Sequence, residues 1–472
     1  MVWGLCCSGI AGTLPGGSTA SARGCRRPHL PRLTTHTPLA KNLSTTVGVP
    51  PDARAARRHL GVATAAVGTA LSSRRLVALD LGSAKVCCAV AEDDGPRLRI
   101  LGVGEAPSAG VHKGVITDPD AAALAISKSL DAAERASGVE IDSALLSLSG
   151  RHIESRASQA VVSVNSRGGV VGSSDLNRVL EASRTVSSLE GQEVVHLIPR
   201  QYQVDTRSGL RDPRGEQGSR LAADVELVLA SSAHLAALVD CAHAAGLRID
   251  DVVVQPLASA EGVLRDQELE VGVAVIDVGA GTTNIAIFRD GTICRVLVLP
   301  VGGQNVTTDL ATGLRCDQDE AETLKCRHGQ CDPAQVLPEE MVTLVGRSHV
   351  GAEEIPRRWL AEIIEPRARE MARLVGRALE DDGQGLSRLV VTGGGFRLRG
   401  FAAAVHQILE MPVRLAVPEG LAGLSDQLGM PEHAAAAGLL RWGQRSGTRG
   451  GRGNMRSTRS AGRLNRWLHE LF

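Results

Sequence analysis

Two stretches of the chain share one pattern of apolar and polar positions. Residues 76–85 read LVALDLGSAK and residues 273–283 read VAVIDVGAGTT. In each, β-favouring apolar residues run to an aspartate, Asp80 or Asp277, and then into glycines and hydroxyl residues. The pattern predicts a buried strand that turns toward a bound phosphate, because glycines let backbone N–H groups approach phosphate oxygens. A single Asp-x-Gly more often marks a structural turn, but two matched copies favour the phosphate interpretation and a duplicated domain.

Strands and helices alternate from residue 76 onward, which predicts an α/β fold. Asp118 is expected to cap a helix with a proline in its first turn, and Gly138 to follow its end. Between residues 150 and 231 the order changes to strand, helix, strand, strand. The four elements are predicted at 155–164, 174–186, 194–204 and 221–230. This unit interrupts the first half of the chain like an inserted subdomain.

The alternation resumes after residue 231. The predicted elements here are helices at 234–245, 256–264, 306–314, 319–325 and 359–379, and strands at 252–254 and 389–392. Before the insert, a further apolar strand is predicted at 144–148. A second hairpin is expected to start at Val271 and to turn at Asp290 and Gly291. The last strand runs into a triple glycine, 393–395, which is a third loop of the nucleotide-binding kind.

The two ends of the chain have a different composition. Residues 1–74 are rich in Gly, Ser, Thr, Pro and Arg, with Asp52 the only acid, and are predicted to be disordered. An organellar transit peptide has a similar composition, but an upstream stretch included by a wrong start codon is the favoured interpretation. Residues 443–459 are rich in Gly, Ser and Arg and predict a flexible linker.

Residues 460–472 predict an amphipathic helix. Its apolar face consists of Leu464, Trp467, Leu468, Leu471 and Phe472, at helical spacing, and Arg463 and Arg466 flank that face. Counted from Arg459 to Phe472, such a helix is about 21 Å long, which is too short to span a bilayer. It can lie in the membrane interface with its arginines on anionic headgroups. The alternative is a helix that docks on its own globular body.

Composition narrows the function classes. The chain has 52 basic and 52 acidic residues, so no overall field favours nucleic acid. Its ten cysteines are scattered, which fits a reduced cytoplasm better than a disulfide framework. Cys316, Cys326, His328 and Cys331 match no standard zinc spacing and are predicted to be ordinary side chains. No apolar stretch approaches the length of a transmembrane helix.

Three glycine loops in this order resemble those of the actin and Hsp70 ATPase superfamily. The resemblance implies an α/β fold of two ribonuclease-H-like domains that close on ATP and Mg²⁺, with Asp80 and Asp277 as the metal residues. It assigns the phosphate 1 role to Asp80, Gly82, Ser83 and Lys85, the phosphate 2 role to Asp277, Gly279, Gly281, Thr282 and Thr283, the adenosine loop to Gly393, Gly394 and Gly395, and a further turn to Gly302 and Gly303.

Two further positions gain a role from this resemblance. Glu322 and Lys325 resemble an Ala-Glu-x-x-Lys that contacts ribose and adenine, although an exposed helix salt bridge explains the pair equally well when it is taken alone. Gln255 stands where relatives carry the residue that orients the attacking water. The alternative for Gln255 is a helix cap. Because a neutral amide is a weak base, any hydrolysis is expected to be slow.

Within the superfamily the details resemble the FtsA family of bacterial cell-division actin homologues. The strings that carry this resemblance are GVGEAPSAGVHKGVITD (102–118), LSLSGRHIES (146–155), HLIPRQYQVD (196–205) and CRHGQ (326–330). The inserted unit matches the 1C subdomain of that family. Ala280, Asn284 and Phe396 depart from the usual pattern, which bears on turnover more than on binding.

The family implies a domain plan and a cellular role. The plan is an extension at 1–74, subdomain 1A at 75–149 and 232–268, 1C at 150–231, 2A at 269–300 and 370–442, 2B at 301–369, a linker at 443–459 and a membrane helix at 460–472. The role is to anchor FtsZ filaments, through the FtsZ C-terminal tail, at the cytoplasmic face of the bacterial inner membrane. Self-association into filaments and recruitment of later divisome proteins are also implied, with weak ATPase activity at most.

Two other classes share the fold. A PilM-type assembly protein of type IV pili carries a similar insert but is expected to lack the tethered terminal helix. A sugar or acetate kinase needs its own acid or base in a substrate pocket and has no use for the insert. The terminal helix therefore favours the FtsA interpretation.

Overall fold

The computed structural model describes residues 74–446, apart from 96, 187–189, 346–351 and 381–384. The membrane helix predicted at 460–472 and nearly all of the predicted extension and linker lie outside the described residues. Two bounds change inside them. Arg74, assigned to the extension, belongs to the first strand, and residues 443–445, assigned to the linker, belong to the last described helix. The helix extends because Trp442 is buried and Arg445 forms an ion pair with Glu261.

The described residues form an α/β structure. The strands, in chain order, are β1 (Arg74–Leu81), β2 (Lys85–Asp93), β3 (Leu98–Pro107), β4 (Val111–His112), β5 (Val115–Ile116), β6 (Ser143–Leu148), β7 (Glu154–Ser163), β8 (Gln192–Val204), β9 (Arg207–Leu210), β10 (Arg220–Ser231), β11 (Arg248–Val254), β12 (Val273–Val278), β13 (Thr283–Arg289), β14 (Thr292–Leu299), β15 (Met341–Leu344), β16 (Glu353–Pro356), β17 (Arg388–Thr392), β18 (Val413–Leu415) and β19 (Leu421–Gly423). The α-helices are α1 (Pro119–Ser137), α2 (Ser173–Val186), α3 (Ser232–Ala244), α4 (Gln255–Val263), α5 (Asp266–Glu270), α6 (Gly303–Leu314), α7 (Gln318–His328), α8 (Arg357–Leu379), α9 (Phe401–Leu409), α10 (Ser425–Leu428) and α11 (Ala434–Arg445).

The two large sheets repeat one strand order. In the first, β3, β2 and β1 form an antiparallel meander, which β6 and then β11 extend in parallel. In the second, β14, β13 and β12 form the meander, and β17 and β18 extend it. The predicted duplication is therefore confirmed at the level of whole sheets. In the first sheet, β19 adds a parallel edge strand beside β3.

The inserted unit is a separate four-stranded antiparallel sheet with the order β7, β10, β8, β9. Helix α2 packs on it through Leu176, Val179 and Leu180, which are buried as the periodicity predicted. The prediction of strand, helix, strand, strand omitted the short strand β9. That strand pairs with β8 across the tight turn at Asp205, whose φ is positive.

Two helices lie between the large sheets. Helix α11 packs on β1, β2 and β6, whereas α4 packs on α11 and on β12, β13 and β14. The strand β12 is buried along its whole length and alternates between two cores. Val273 and Val275 belong to the core shared with the first sheet, and Ala274 and Ile276 belong to the core that α6 and α8 cover.

Most predicted elements occur within a few residues of their expected bounds, and α1 has its Asp118 cap and Gly138 end as predicted. The second hairpin begins at Val273, because Val271 and Gly272 belong to the turn after α5. Leu124 continues the apolar spacing of α1 with Ile126 and Leu130, which predicts a buried side chain, but it is 57% exposed. Among the described residues, no helix combines the length and hydropathy needed to cross a membrane.

Candidate functional site

The two predicted phosphate loops have the same local geometry. After β1, the Gly82 N–H donates to the Lys85 carbonyl at 3.1 Å, and after β12 the Gly279 N–H donates to the Thr282 carbonyl at 2.8 Å. Each turn begins two residues after its aspartate. The repeated sequence pattern therefore folds into a repeated tight turn, with a carboxylate at the end of each buried strand.

The turns face each other across the space between the sheets. A Cβ placed on Gly281 would lie 2.6 Å from Ser83 Oγ, so only glycine permits this approach. Gly393 has a φ of +93°, and a Cβ there would lie 2.3 Å from Asp277 Oδ1. The third glycine loop is thereby held against the second phosphate loop, as a shared site requires.

An open cleft lies between the loops. The predicted site residues that line it are Asp80, Gly82, Ser83, Lys85, Gln255, Asp277, Gly279, Gly281, Thr282, Gly393 and Gly394. Thr283 does not line it: its side chain is buried and donates to the Val301 carbonyl. Gly302 packs against the Ala280 carbonyl instead, where a Cβ would come within 2.5 Å.

The remaining predicted residues lie beside the cleft. The Lys325 ammonium donates to Thr307 Oγ1 at 2.8 Å, to Glu322 at 2.6 Å and to the Gly303 carbonyl at 3.2 Å. Gly395 approaches the same point, since a Cβ on Gly303 would lie 3.6 Å from both the Gly395 Cα and the Lys325 Nζ. The Lys325 side chain is only 12% exposed, so the pair is more than a surface salt bridge.

The two aspartates are buried carboxylates with raised pKa values. Burial raises the pKa of Asp80, against hydrogen bonds from Ser147 and Gln255 that lower it. Burial, with the nearby Asp80 charge, raises the pKa of Asp277 to about 6, although Ser259 donates to it at 2.5 Å. Mg²⁺ prefers oxygen ligands such as carboxylates, and a bound cation would stabilise the charged form of both buried side chains. The residues present therefore fit the magnesium ion that the resemblance implies.

Gln255 lies in the first turn of α4 and reaches into the cleft. Its Nε2 donates to Asp80 Oδ1 at 2.8 Å, and its Oε1 accepts from Asn284 Nδ2 at 3.0 Å. The side chain is thus engaged at both ends and does not cap its helix.

Lys85 also contacts residues that the sequence did not single out. Its ammonium donates to Glu105 at 2.5 Å and lies 2.5 Å from His433 Nε2. The hydrogen bond from His433, followed by those of Lys85 and against burial, lowers the pKa of Glu105 to about 2. Cys87 completes a group of possible metal ligands here. The Lys85 ammonium already supplies positive charge between Glu105 and His433.

The sequence patterns did not predict the residues that hold the two aspartates or the segment that closes one side of the cleft. Ser147 and Ser259 hydrogen-bond the two aspartates, and the segment 431–435, which leads into α11, forms one wall of the cleft. A hydroxyl inside the apolar strand 144–148 was the available signal for Ser147. For the wall, the signal was the proline followed by a run of alanines, whose small side chains allow close approach.

The amphipathic residues Arg463, Leu464, Arg466, Trp467, Leu468, Leu471 and Phe472 lie outside the described residues. Their membrane role stays a prediction.

Comparisons with known proteins show which protein family the chain resembles. The family model of cell division protein FtsA matches residues 274–438, and the model of the SHS2 domain inserted in FtsA matches residues 150–229. Cell division protein FtsA of Pseudomonas aeruginosa is 35% identical over 378 residues, which cover 79% of this chain and 90% of the relative. The Escherichia coli K12 protein of the same name is 31% identical over 420 residues, covering 85% and 99%.

A solved structure of a PilM-PilN type IV pilus biogenesis complex also matches. Its TM-score is 0.58 at 20% identity, and the match covers 78% of this chain and 98% of the solved chain. At that identity the likeness concerns the fold.

The repeated sheets, the opposed glycine turns and the inserted sheet define a protein with the actin-like ATPase fold. Relatives of more than 30% identity that the chain covers almost completely narrow this class. The chain belongs to the FtsA family of cell division proteins.

Proposed function

We propose that the protein binds ATP with Mg²⁺ in the cleft between its two large sheets. The observation that carries this proposal is the pair of matched turns, each with a buried aspartate, facing each other across the cleft. The N–H groups around Gly82, Ser83, Gly279 and Gly281 would hold the phosphates, and Asp80 and Asp277 would hold the ion, directly or through water. Bound magnesium supplies charge that offsets the phosphates.

The adenosine is expected beside the third glycine loop. Gly393, Gly394 and Gly395 present backbone without side chains, and the base and ribose would lie toward Lys325 and Glu322. The three N–H groups of the Lys325 ammonium point to Thr307, Glu322 and the Gly303 carbonyl, so a ribose hydroxyl would take the place of one of these acceptors. Hydrolysis would be slow, since Gln255 orients water but is a weak base.

At the cellular level, the proposed role is to anchor FtsZ filaments to the cytoplasmic face of the inner membrane. The predicted helix at 460–472 would bind anionic lipid, subdomain 2B would bind the FtsZ C-terminal tail, and ATP would set the shape in which copies self-associate into filaments. Later divisome membrane proteins would be recruited to the same assembly. Family membership and the terminal amphipathic pattern support this role.

The proposed 2B region carries four exposed apolar side chains. Leu337, Met341, Val345 and Trp359 are each between 46% and 65% exposed. Among them Trp359 is the aromatic residue, the type that most often anchors a bound peptide. Trp359→Ala should weaken binding of an FtsZ tail peptide about tenfold or more, as expected for an aromatic anchor. Leu124→Ala, an equally exposed apolar position on α1, is the control, and equal effects of both variants would contradict the assignment.

Flotation with liposomes of anionic lipid tests the anchoring role. The full chain should float with the liposomes and carry purified FtsZ with it. In a separate sedimentation assay, it should pellet as polymer when ATP is added. A chain truncated after residue 459 should remain at the bottom of the gradient while binding nucleotide as before. Flotation that does not depend on the terminal segment would contradict the anchoring proposal. Flotation without FtsZ capture would favour a partner of the type IV pilus kind instead.

A further inference from the structure

A chain of buried hydrogen bonds connects the two large sheets through Gln255. Ser147 donates to Asp80 at 2.6 Å, and Gln255 donates to the same Asp80 oxygen at 2.8 Å. Asn284 donates to Gln255 at 3.0 Å, and Ser149 donates to Asn284 at 2.8 Å. All five side chains are less than 9% exposed. Asp80 and Ser147 belong to the first sheet, Ser149 directly follows its strand β6, Asn284 belongs to the second sheet, and Gln255 lies on the helix between the sheets.

Chemistry fixes the direction of every bond in this chain. Asp80 Oδ1 accepts from Ser147 and from Gln255, so Gln255 must turn its NH₂ group toward Asp80. The carbonyl of Gln255 then faces Asn284, which can satisfy it only with its own NH₂ group. The carbonyl of Asn284 is left to accept from the Ser149 hydroxyl. An aspartate at position 284 would be an acceptor facing an acceptor.

We propose that Asn284 is a positioning residue that tethers Gln255 and thereby slows hydrolysis of the bound nucleotide. This inference rests on the proposed ATP site. In hydrolysis, the oxygen of a water molecule forms a bond to the γ-phosphorus. The bond from that phosphorus to the β–γ bridging oxygen breaks, which yields ADP and inorganic phosphate, and the proton of the water passes to a phosphate oxygen or to solvent.

Gln255 takes part in that step only by orienting the water through Oε1. With its two ends held by Asp80 and Asn284, the side chain can turn toward the water only if it breaks a hydrogen bond in a buried site. Asn284 therefore acts as a brake on hydrolysis, because its hydrogen bond to Gln255 holds that side chain away from the water. The same hydrogen bond joins the second sheet to helix α4.

Two substitutions at one position test the brake. Asn284→Ala and Asn284→Asp both remove the donor, but only the second adds a charge. Steady-state hydrolysis of Mg-ATP should rise about tenfold in both, since one ordinary hydrogen bond is worth about that factor. The dissociation constant for ADP measured without Mg²⁺ should change less than about threefold in Asn284→Ala, because the lost hydrogen bonds are those to Gln255 and to Asp277, the proposed ion ligand. A rise in the aspartate variant alone would be a charge effect and would overturn the inference.

Two further variants make the result independent of folding and charge. The double variant Asn284→Ala with Gln255→Ala should lose the increase, because the brake acts through Gln255, and an increase that persists would overturn the inference. Ser149→Ala keeps the donor but removes the anchor of Asn284, so it should give a smaller rise. If the position-284 variants do not fold, no rise in Ser149→Ala overturns the proposal. A wild-type chain that binds no ATP would instead refute the proposed function itself.

Discussion

His196 is a buried imidazole whose neutral form the fold requires. Its Nε2 accepts the Val254 N–H at 3.1 Å, and its ring meets Trp442 edge-on at a centroid distance of 5.2 Å. Burial lowers its pKa to about 3. The residue therefore joins the inserted subdomain to β11 and α11 only while it carries no charge.

The protein should consequently lose stability in mild acid. Below pH 6.5 the unfolded chain binds a proton at His196 that the native state refuses until about pH 3, so the contribution of this residue is complete above pH 6.5 and lost as the pH falls. Between pH 7 and 5 the loss from His196 is about 2 kcal/mol. Urea unfolding at several pH values measures it. His196→Gln can accept the same N–H without titrating and should show a shallower pH dependence; parallel curves for the two proteins would contradict this account.

The charged residues of the site were predictable, and their partners were not. Asp80 and Asp277 each end an apolar run, so one segment of sequence suffices to find them. Ser147 and His433 reach the site from β6 and from the segment before α11, which are distant in the chain. Only the parallel pairing of β1 with β6 brings Ser147 beside Asp80, and no local pattern encodes that pairing.

Helices α4 and α11 meet backbone to backbone. A Cβ on Gly438 would lie 1.6 Å from the Ala258 carbonyl oxygen, and one on Gly262 would lie 2.3 Å from the Ala434 carbonyl oxygen. Neither glycine has a positive φ, so the reason for glycine is close approach rather than conformation. The alanines around them serve the same contact.

Gly438→Ala should therefore destabilise the protein by about 3 kcal/mol or more, because the methyl group must push the two helices apart. Since Ala434 and Ala435 line the cleft at the start of α11, nucleotide affinity should fall as well. Thermal unfolding and ADP titration measure the two effects. The matched control is Gly376→Ala in α8, where a Cβ meets only the flexible end of Leu409. That change should be neutral or stabilise by up to about 1 kcal/mol through helix propensity, and equal losses in both variants would contradict the contact argument.

The elements themselves show why some were predicted and others missed. Helix α1 carries its signals within its own sequence, an Asp118 cap and a Gly138 end. Strand β9 has four residues and little apolar character, and it exists because β8 offers an edge for it. Short strands of this kind depend on a neighbour, so periodicity along one segment does not predict them.

At the scale of the whole molecule, the two large sheets bring two buried carboxylates, Asp80 and Asp277, close enough to repel each other. Asp277 has a pKa of about 6 in the fold, against 3.8 for the free side chain. Between these values the native state binds the proton more tightly than the unfolded chain. The contribution of Asp277 to stability is thus complete below about pH 4 and is lost as the pH rises through 6. If Asp277 holds a magnesium ion, the charge of that ion would offset the loss at neutral pH.

Magnesium and protons should therefore compete at Asp277. As the pH falls through 6, the affinity for Mg-ADP should weaken, approaching tenfold per pH unit below it, because the ion needs the deprotonated carboxylate. Removal of Mg²⁺ with a chelator should weaken ADP binding and abolish the competition. Asp277→Asn is the control: it should bind Mg-ADP more weakly at pH 7.5 and show one proton less of pH dependence, since titration of the nucleotide itself is common to both proteins. Equal pH dependence in the two proteins would mean that Asp277 does not bind the ion. Of the two aspartates, Asp80 alone would then remain as the metal residue.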